Sequence, residues 1–123
     1  MISSGAQLLK LCKEKNKKIS EVALEYQLEE MDITEEQLMK MLRETYEVMK
    51  ASASDVITND KINPFKITGG NAKKILRHAQ SGKSILGESM VTAIARGFST
   101  SEVNAGMGKI VAAPTAGGAG ILP

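Results

Sequence analysis

Glu102 and Asn104 are the residues of this chain best placed to do chemistry. They lie in Ser99-Thr100-Ser101-Glu102-Val103-Asn104-Ala105-Gly106-Met107-Gly108, where Glu102 is the single charged side chain and a long apolar run precedes. Polar groups beside buried surface need partners, because each one left unpaired costs on the order of 1–3 kcal/mol. Burial alone predicts that they cap or bridge neighbouring helices; contact with a ligand is the alternative. Downstream, Pro114-Thr115-Ala116-Gly117-Gly118-Ala119-Gly120 is rich in glycine but lacks both nucleotide-loop patterns. Gly118 and Gly120 would need a third glycine where Pro123 stands. The segment is either a plain turn or a nest of backbone N–H groups for an anion, with the Thr115 hydroxyl added.

Other polar motifs carry less. Thr68-Gly69-Gly70 starts a helix, where the glycines let the backbone bend and outward-facing amides offer a possible ligand contact. Ser81-Gly82-Lys83-Ser84 resembles a phosphate loop in composition only. Arg77 stands where that loop needs its first glycine, and a helix precedes it instead of a strand. A helix end followed by a turn is the expected structure. His78, the one histidine, has no partner motif and reads as a surface or interface residue. Cys12, among Leu9, Leu11 and lysines, reads as a half-buried thiol. One cysteine excludes an intrachain disulfide and any multi-cysteine metal site within these 123 residues.

The elements that position these groups read as all-α, about five packed helices ending in a Gly-rich loop and forming part of a larger helical domain. Ser3 and Ser4 can cap a first helix carrying Leu8, Leu11 and Cys12, which fades at Lys15-Asn16-Lys17-Lys18. Ser20 can cap a second, with Ile19, Val22, Ala23 and Tyr26 at helical spacing. Thr34 and Gln37 have the spacing of a capping box, and Ile33 and Leu38 that of a hydrophobic staple. This third helix is predicted to reach about Ala53, before a long loop over 54–67. A fourth follows Thr68-Gly69-Gly70-Asn71, with Ala72, Ile75, Leu76 and Ala79 on one face. A fifth, about Glu88 to Gly106, is apolar almost all round and is expected to be central and buried. Lys109 to Ala113 reads as a short strand-like connector.

Charge separates the chain into halves. Residues 1–60 hold 8 Lys and Arg against 12 Asp and Glu, whereas residues 61–123 hold 8 against 2. Ten of the 11 glycines lie beyond residue 68. Residues 1–53 therefore read as a charged helical layer, and 68–123 as a Gly-rich, site-proximal half. An electropositive half suits a small carboxylate substrate or an acidic partner. Nucleic acid is not expected, since the basic residues are scattered without interleaved aromatics. No apolar run reaches the roughly 18 residues of a membrane span, and the opening does not read as a signal peptide. A cytoplasmic protein is the default expectation.

The run from Ser101-Glu102-Val103-Asn104-Ala105 through Pro114-Thr115-Ala116-Gly117 closely resembles the alpha subunit of the iron–sulfur-dependent L-serine dehydratases, or L-serine ammonia-lyases. The resemblance reaches back through Ser81-Gly82-Lys83-Ser84 and Thr68-Gly69-Gly70 to Ser4-Gly5-Ala6-Gln7-Leu8-Leu9, strongest after Thr68. It implies a lyase that removes water and then ammonia from L-serine to leave pyruvate. An iron–sulfur (4Fe-4S) cluster with one open iron would act on the serine hydroxyl as a Lewis acid. The cluster cysteines implied by the resemblance lie in Gly-Cys-Gln and Cys-Asp-Pro segments beyond the Pro-Thr-Ala-Gly loop, and none is in this chain. The expected partners are the beta subunit and the missing C-terminal part of the alpha chain, with a small amino acid as substrate. The chain then reads as the N-terminal portion of an alpha subunit, inactive by itself. Glu102, Asn104, Thr115, Gly117 and Gly118 would lie near the substrate as positioning groups, with Thr68, Gly69 and Gly70 behind them; no residue is assigned as acid or base. A related cluster-dependent L-cysteine desulfidase and a non-catalytic helical interaction module are the rival readings.

Overall fold

The computed structural model describes residues 2–59, 69–113 and 115–119. Among them every regular element is a helix: α1 (Gly5–Lys15), α2 (Ile19–Met31), α3 (Glu35–Thr58), α4 (Asn71–Gln80), α5 (Glu88–Ala105) and a 3-10 turn, Ala116–Gly118. Lys109 to Ala113 has no strand. The chain divides into two compact units, Met1–Leu42 and Arg43–Pro123. α3 contributes its first residues to one and the remainder to the other.

In the first unit, local polar chemistry sets the helix limits. The Ser4 hydroxyl accepts the Gln7 amide at 3.2 Å, and Gln7 reaches back to accept the Ser3 amide at 2.9 Å. α1 stops at Asn16, whose φ of 52° lets the Lys17 amide turn back to the Cys12 carbonyl at 3.0 Å. Asparagine visits this left-handed region more readily than most side chains. Ser20 does not cap α2. The helix begins at Ile19, and the Lys18 amide donates to the Glu21 carboxylate at 2.7 Å, so an acidic side chain inside the first turn replaces the expected hydroxyl. α1 packs on α2, where Lys15 and Lys17 both pair with Glu25. The Thr34–Gln37 box forms as expected, with reciprocal bonds of 3.3 and 2.9 Å, and Leu38 one turn later is buried.

In the second unit α3 runs past Ala53 to Thr58, which corrects the expected loop start. Ser54 and Thr58 have weak helix propensity, yet their hydroxyls donate to the Lys50 and Ser54 carbonyls at 2.8 and 2.9 Å, inside the helix. Ala53 and Val56 are buried, and this packing outweighs weak local propensity. The remainder of the expected loop, 60–67, lies outside the described residues. α4 and α5 pack closely, with Ala72, Ala79, Val91 and Ala95 buried. Small side chains dominate this core, so helix axes can approach closely. α5 is not buried all round: Val91, Ala95, Ser99, Thr100 and Glu102 face inward, whereas Met90, Ile94 and Phe98 are exposed.

Candidate functional site

α4 begins without a side-chain cap of its own. Gly69 and Gly70 precede it at φ 135° and 80°, a region that glycine enters freely. Gly70 has no side chain to accept the first N–H groups, and a helix start leaves four such donors unpaired. Three amides at this start are taken by a residue from the far end of α5. The Glu102 Oε1 accepts the Asn71 amide at 2.7 Å and the Ala72 amide at 3.2 Å, and its Oε2 accepts the Gly70 amide at 3.1 Å. Glu102 is 7% exposed and Ala72 is fully buried. The carboxylate also meets the positive end of the α4 dipole. The Gly70 amide therefore points inward to Glu102 and not outward as expected, which is the structural one of the two readings open for this helix entry. Thr68 lies outside the described residues.

A second buried bond fixes the same stretch of α5. The Ser99 hydroxyl donates to the Ser52 carbonyl of α3 at 2.8 Å, with Ser99 fully buried. Glu102 and Ser99 lie one turn apart, so α5 is tied to α3 and α4 at neighbouring levels. Sequence reasoning passed over Ser99 and Ser52. The available signal was a row of hydroxyls in an apolar helix that has no solvent to satisfy them.

α5 ends in a tight reversal. The Met107 amide donates to the Asn104 carbonyl at 3.0 Å and the Gly108 amide to the Val103 carbonyl at 2.8 Å. This is the paired-bond helix stop in which the left-handed residue is normally glycine. Here Met107 takes that conformation at φ 62°, while Gly106 stands one residue earlier at φ −84°. Gly108 is required by space: a Cβ there would lie 2.6 Å from Val103 Cγ1. Asn104 is exposed on the last turn.

Thr115, Gly117 and Gly118 form their own turn. The Thr115 hydroxyl accepts the Gly118 amide at 3.2 Å and caps the short 3-10 helix. That amide is turned into the loop, which favours the turn reading over an open anion nest for Gly118. A Cβ at Gly118 would stand 2.7 Å from the Ala113 carbonyl oxygen, whereas Gly117 has room. Pro114 lies outside the described residues. Thus the structure joins Glu102 to Gly70, and Thr115 to Gly118, by hydrogen bonds.

The remaining motifs take structural places. Gly82 turns the chain after α4 at φ 68°, and the Ser81 hydroxyl donates to the His78 carbonyl at 2.8 Å, the helix stop expected there. A cleft lined by Gln80, Ser84, Leu86 and Glu88 lies at this end of the α4–α5 pair, roughly 20 Å along α5 from Glu102 at 1.5 Å per residue. His78 is exposed and Cys12 half-buried. No group of three or more His, Cys, Asp or Glu among the described residues could hold a metal ion. No helix among them is long and apolar enough to cross a membrane.

Comparison with known proteins places this chain in a family. The serine dehydratase alpha chain family matches residues 14–123, and the chain belongs to it. It is 43% identical to the L-serine dehydratase alpha chain of Peptoniphilus asaccharolyticus over 123 residues, all of this chain and 42% of that one. Identity to the probable L-serine dehydratase alpha chain of Bacillus subtilis is 33%, again over all of this chain and 41% of the relative. Over 98% of this chain and 26% of the relative, identity to the L-serine dehydratase of Streptomyces coelicolor is 32%. The chain thus spans about two fifths of the length of the two alpha chains. No solved structure matches.

Proposed function

We propose that this chain is the N-terminal part of the alpha subunit of an L-serine ammonia-lyase, which converts L-serine to pyruvate and ammonia in the cytoplasm. The match to an L-serine dehydratase alpha chain over the whole chain carries this reading. The alpha-chain names of two relatives support a beta chain as partner. The structure supports a positioning role for Glu102. Both carboxylate oxygens already accept backbone amides, so the group holds the start of α4 instead of shuttling a proton. Asn104, Thr115 and the Gly117 backbone are the groups on this chain proposed to face the substrate, with Gly118 closing their turn and Thr68, Gly69 and Gly70 behind them. The positive balance of residues 61–123 favours a substrate bearing a carboxylate.

An iron–sulfur cluster belongs to this reading as a group of the whole protein. The residues of this chain do not fit it: Cys12 is the one cysteine of the sequence, and it lies in the first unit. No step of the reaction is therefore assigned through the cluster to these residues.

The test is turnover by the complete alpha chain with its beta partner under anaerobic conditions. Pyruvate and ammonia from L-serine support the reading. Sulfide from L-cysteine without pyruvate from L-serine overturns the substrate, and absence of both activities in a folded, cluster-loaded protein overturns the enzyme.

A further inference from the structure

α5 carries an exposed face with the composition of an interior. Met90, Ile94 and Phe98 repeat every four residues along one ridge, at 57, 37 and 44% exposure. Beside them runs a second row at the same spacing, Ala93, Gly97, Ser101 and Ala105, of which Ala93, Ser101 and Ala105 are exposed. Neither row contains a charged residue. Of the charged residues of α5, Glu88 and Arg96 fall outside both rows, and Glu102, one step beyond Phe98 in the first, is turned inward at 7% exposure. A ridge of large side chains next to a furrow of small ones is the relief into which another helix packs. Contiguous apolar patches above about 300–600 Å² are rarely left to solvent. Transient interfaces are polar at the rim, whereas a charge-free face as long as the helix resembles a domain core.

We propose that this face of α5 is the seat of a helix from the remainder of the alpha-chain polypeptide, the portion by which the relatives exceed this chain. The inference rests on the reading of this chain as part of an alpha subunit. The length of the relatives supplies the occupant: this chain accounts for 42 and 41% of the two alpha chains, so more than half of each is left to be packed. Covalent continuity favours that occupant over a separate molecule, because a tethered segment meets the face at an effective concentration of about millimolar or more. Asn104, exposed in the last turn of the same helix, would then lie at the edge of the seam between the two parts.

The experiment introduces photoreactive benzoylphenylalanine in place of Phe98, and separately of Met90, in the complete alpha chain assembled with its beta chain. Irradiation and peptide mapping identify what lies against α5, with the same group at exposed Lys10 as the control. The expected result is adducts with alpha-chain residues beyond 123 of the same polypeptide, at a yield at least tenfold above the control. Adducts mainly with residues 2–42, with the beta chain or with a second copy would overturn the proposal, as would a yield no greater than the control. Pyruvate formation is measured on the same protein before irradiation. Loss of the enzymatic reading then shows as absent turnover, while the adduct map reports separately on the α5 face.

Discussion

Removing the Glu102 carboxylate should unravel the start of α4. In Glu102→Ala the amides of Gly70, Asn71 and Ala72 all lose their acceptor. Asn71 is exposed and water can replace its partner, but Ala72 is fully buried and its N–H is left unpaired. That one donor costs about 1–3 kcal/mol. Loss of the carboxylate from the positive end of α4 adds roughly 1–2 kcal/mol in a partly buried setting. The sum is about 2–5 kcal/mol, before any contribution from the emptied methylene volume. Glu102→Gln keeps one acceptor for Asn71 and Ala72 but turns an –NH2 group toward the Gly70 N–H, and should cost about 1–3 kcal/mol. Urea denaturation of the alpha chain followed by far-UV circular dichroism reads these differences, and hydrogen exchange at Ala72 locates them. A Glu102→Ala protein within about 0.5 kcal/mol of wild type, with Ala72 exchange unchanged, would refute the reasoning.

Four further outcomes follow from the same geometry. Ser99→Ala, which removes the buried bond to the Ser52 carbonyl, should destabilise by about 1–2 kcal/mol in the same denaturation assay. Met107→Gly should stabilise by about 1 kcal/mol, since glycine adopts its φ of 62° without strain; Gly108→Ala should destabilise, because its Cβ meets Val103. Gly118→Ala should lower the melting temperature more than Gly117→Ala, given the Ala113 carbonyl 2.7 Å from the first and open space at the second. The α1–α2 pairing should depend on pH at both extremes. Lys17 and Lys15 hold the Glu25 carboxyl below the usual glutamate range, so its contribution is present above the unfolded pKa and lost as pH falls through the lower folded value. Glu25 holds the Lys15 ammonium above its usual range, so that contribution is present below the unfolded lysine pKa and lost as pH rises through the folded one. NMR titration of Glu25 and Lys15 checks both directions.

Features of the fold that depend on neighbours a few residues apart could be read from sequence. Ser4, the Thr34–Gln37 box, Asn16 and Gly82 all act within one turn, and each marks the helix limit it signals. Ser20 failed because Glu21 offers a carboxylate to the Lys18 amide, a competing partner within the same turn. The end of α3 failed for a different reason. Ser54, Asp55 and Thr58 lower helix propensity, but burial of Ala53 and Val56 keeps the segment helical. Glu102 had two readings open in sequence, capping or ligand contact, and the cap depends on amides 30 to 32 residues away. One clue was present: a helix starting after two glycines has no local acceptor, and Glu102 is one of only two acidic residues beyond position 60. The expectation that α5 is buried all round failed, because an apolar composition on nearly every side does not say which face this chain covers itself, and Met90, Ile94 and Phe98 are exposed.

The most direct test of the account is L-serine turnover by the complete protein carrying Glu102→Gln, at a temperature where circular dichroism shows it folded. If Glu102 positions α4 and the whole assembly is an L-serine ammonia-lyase, the variant still forms pyruvate, with a reduced rate and the pH dependence of wild type. A folded Glu102→Gln protein with no turnover beside an active wild type would show that the carboxylate takes part in the chemistry, and would contradict the positioning role.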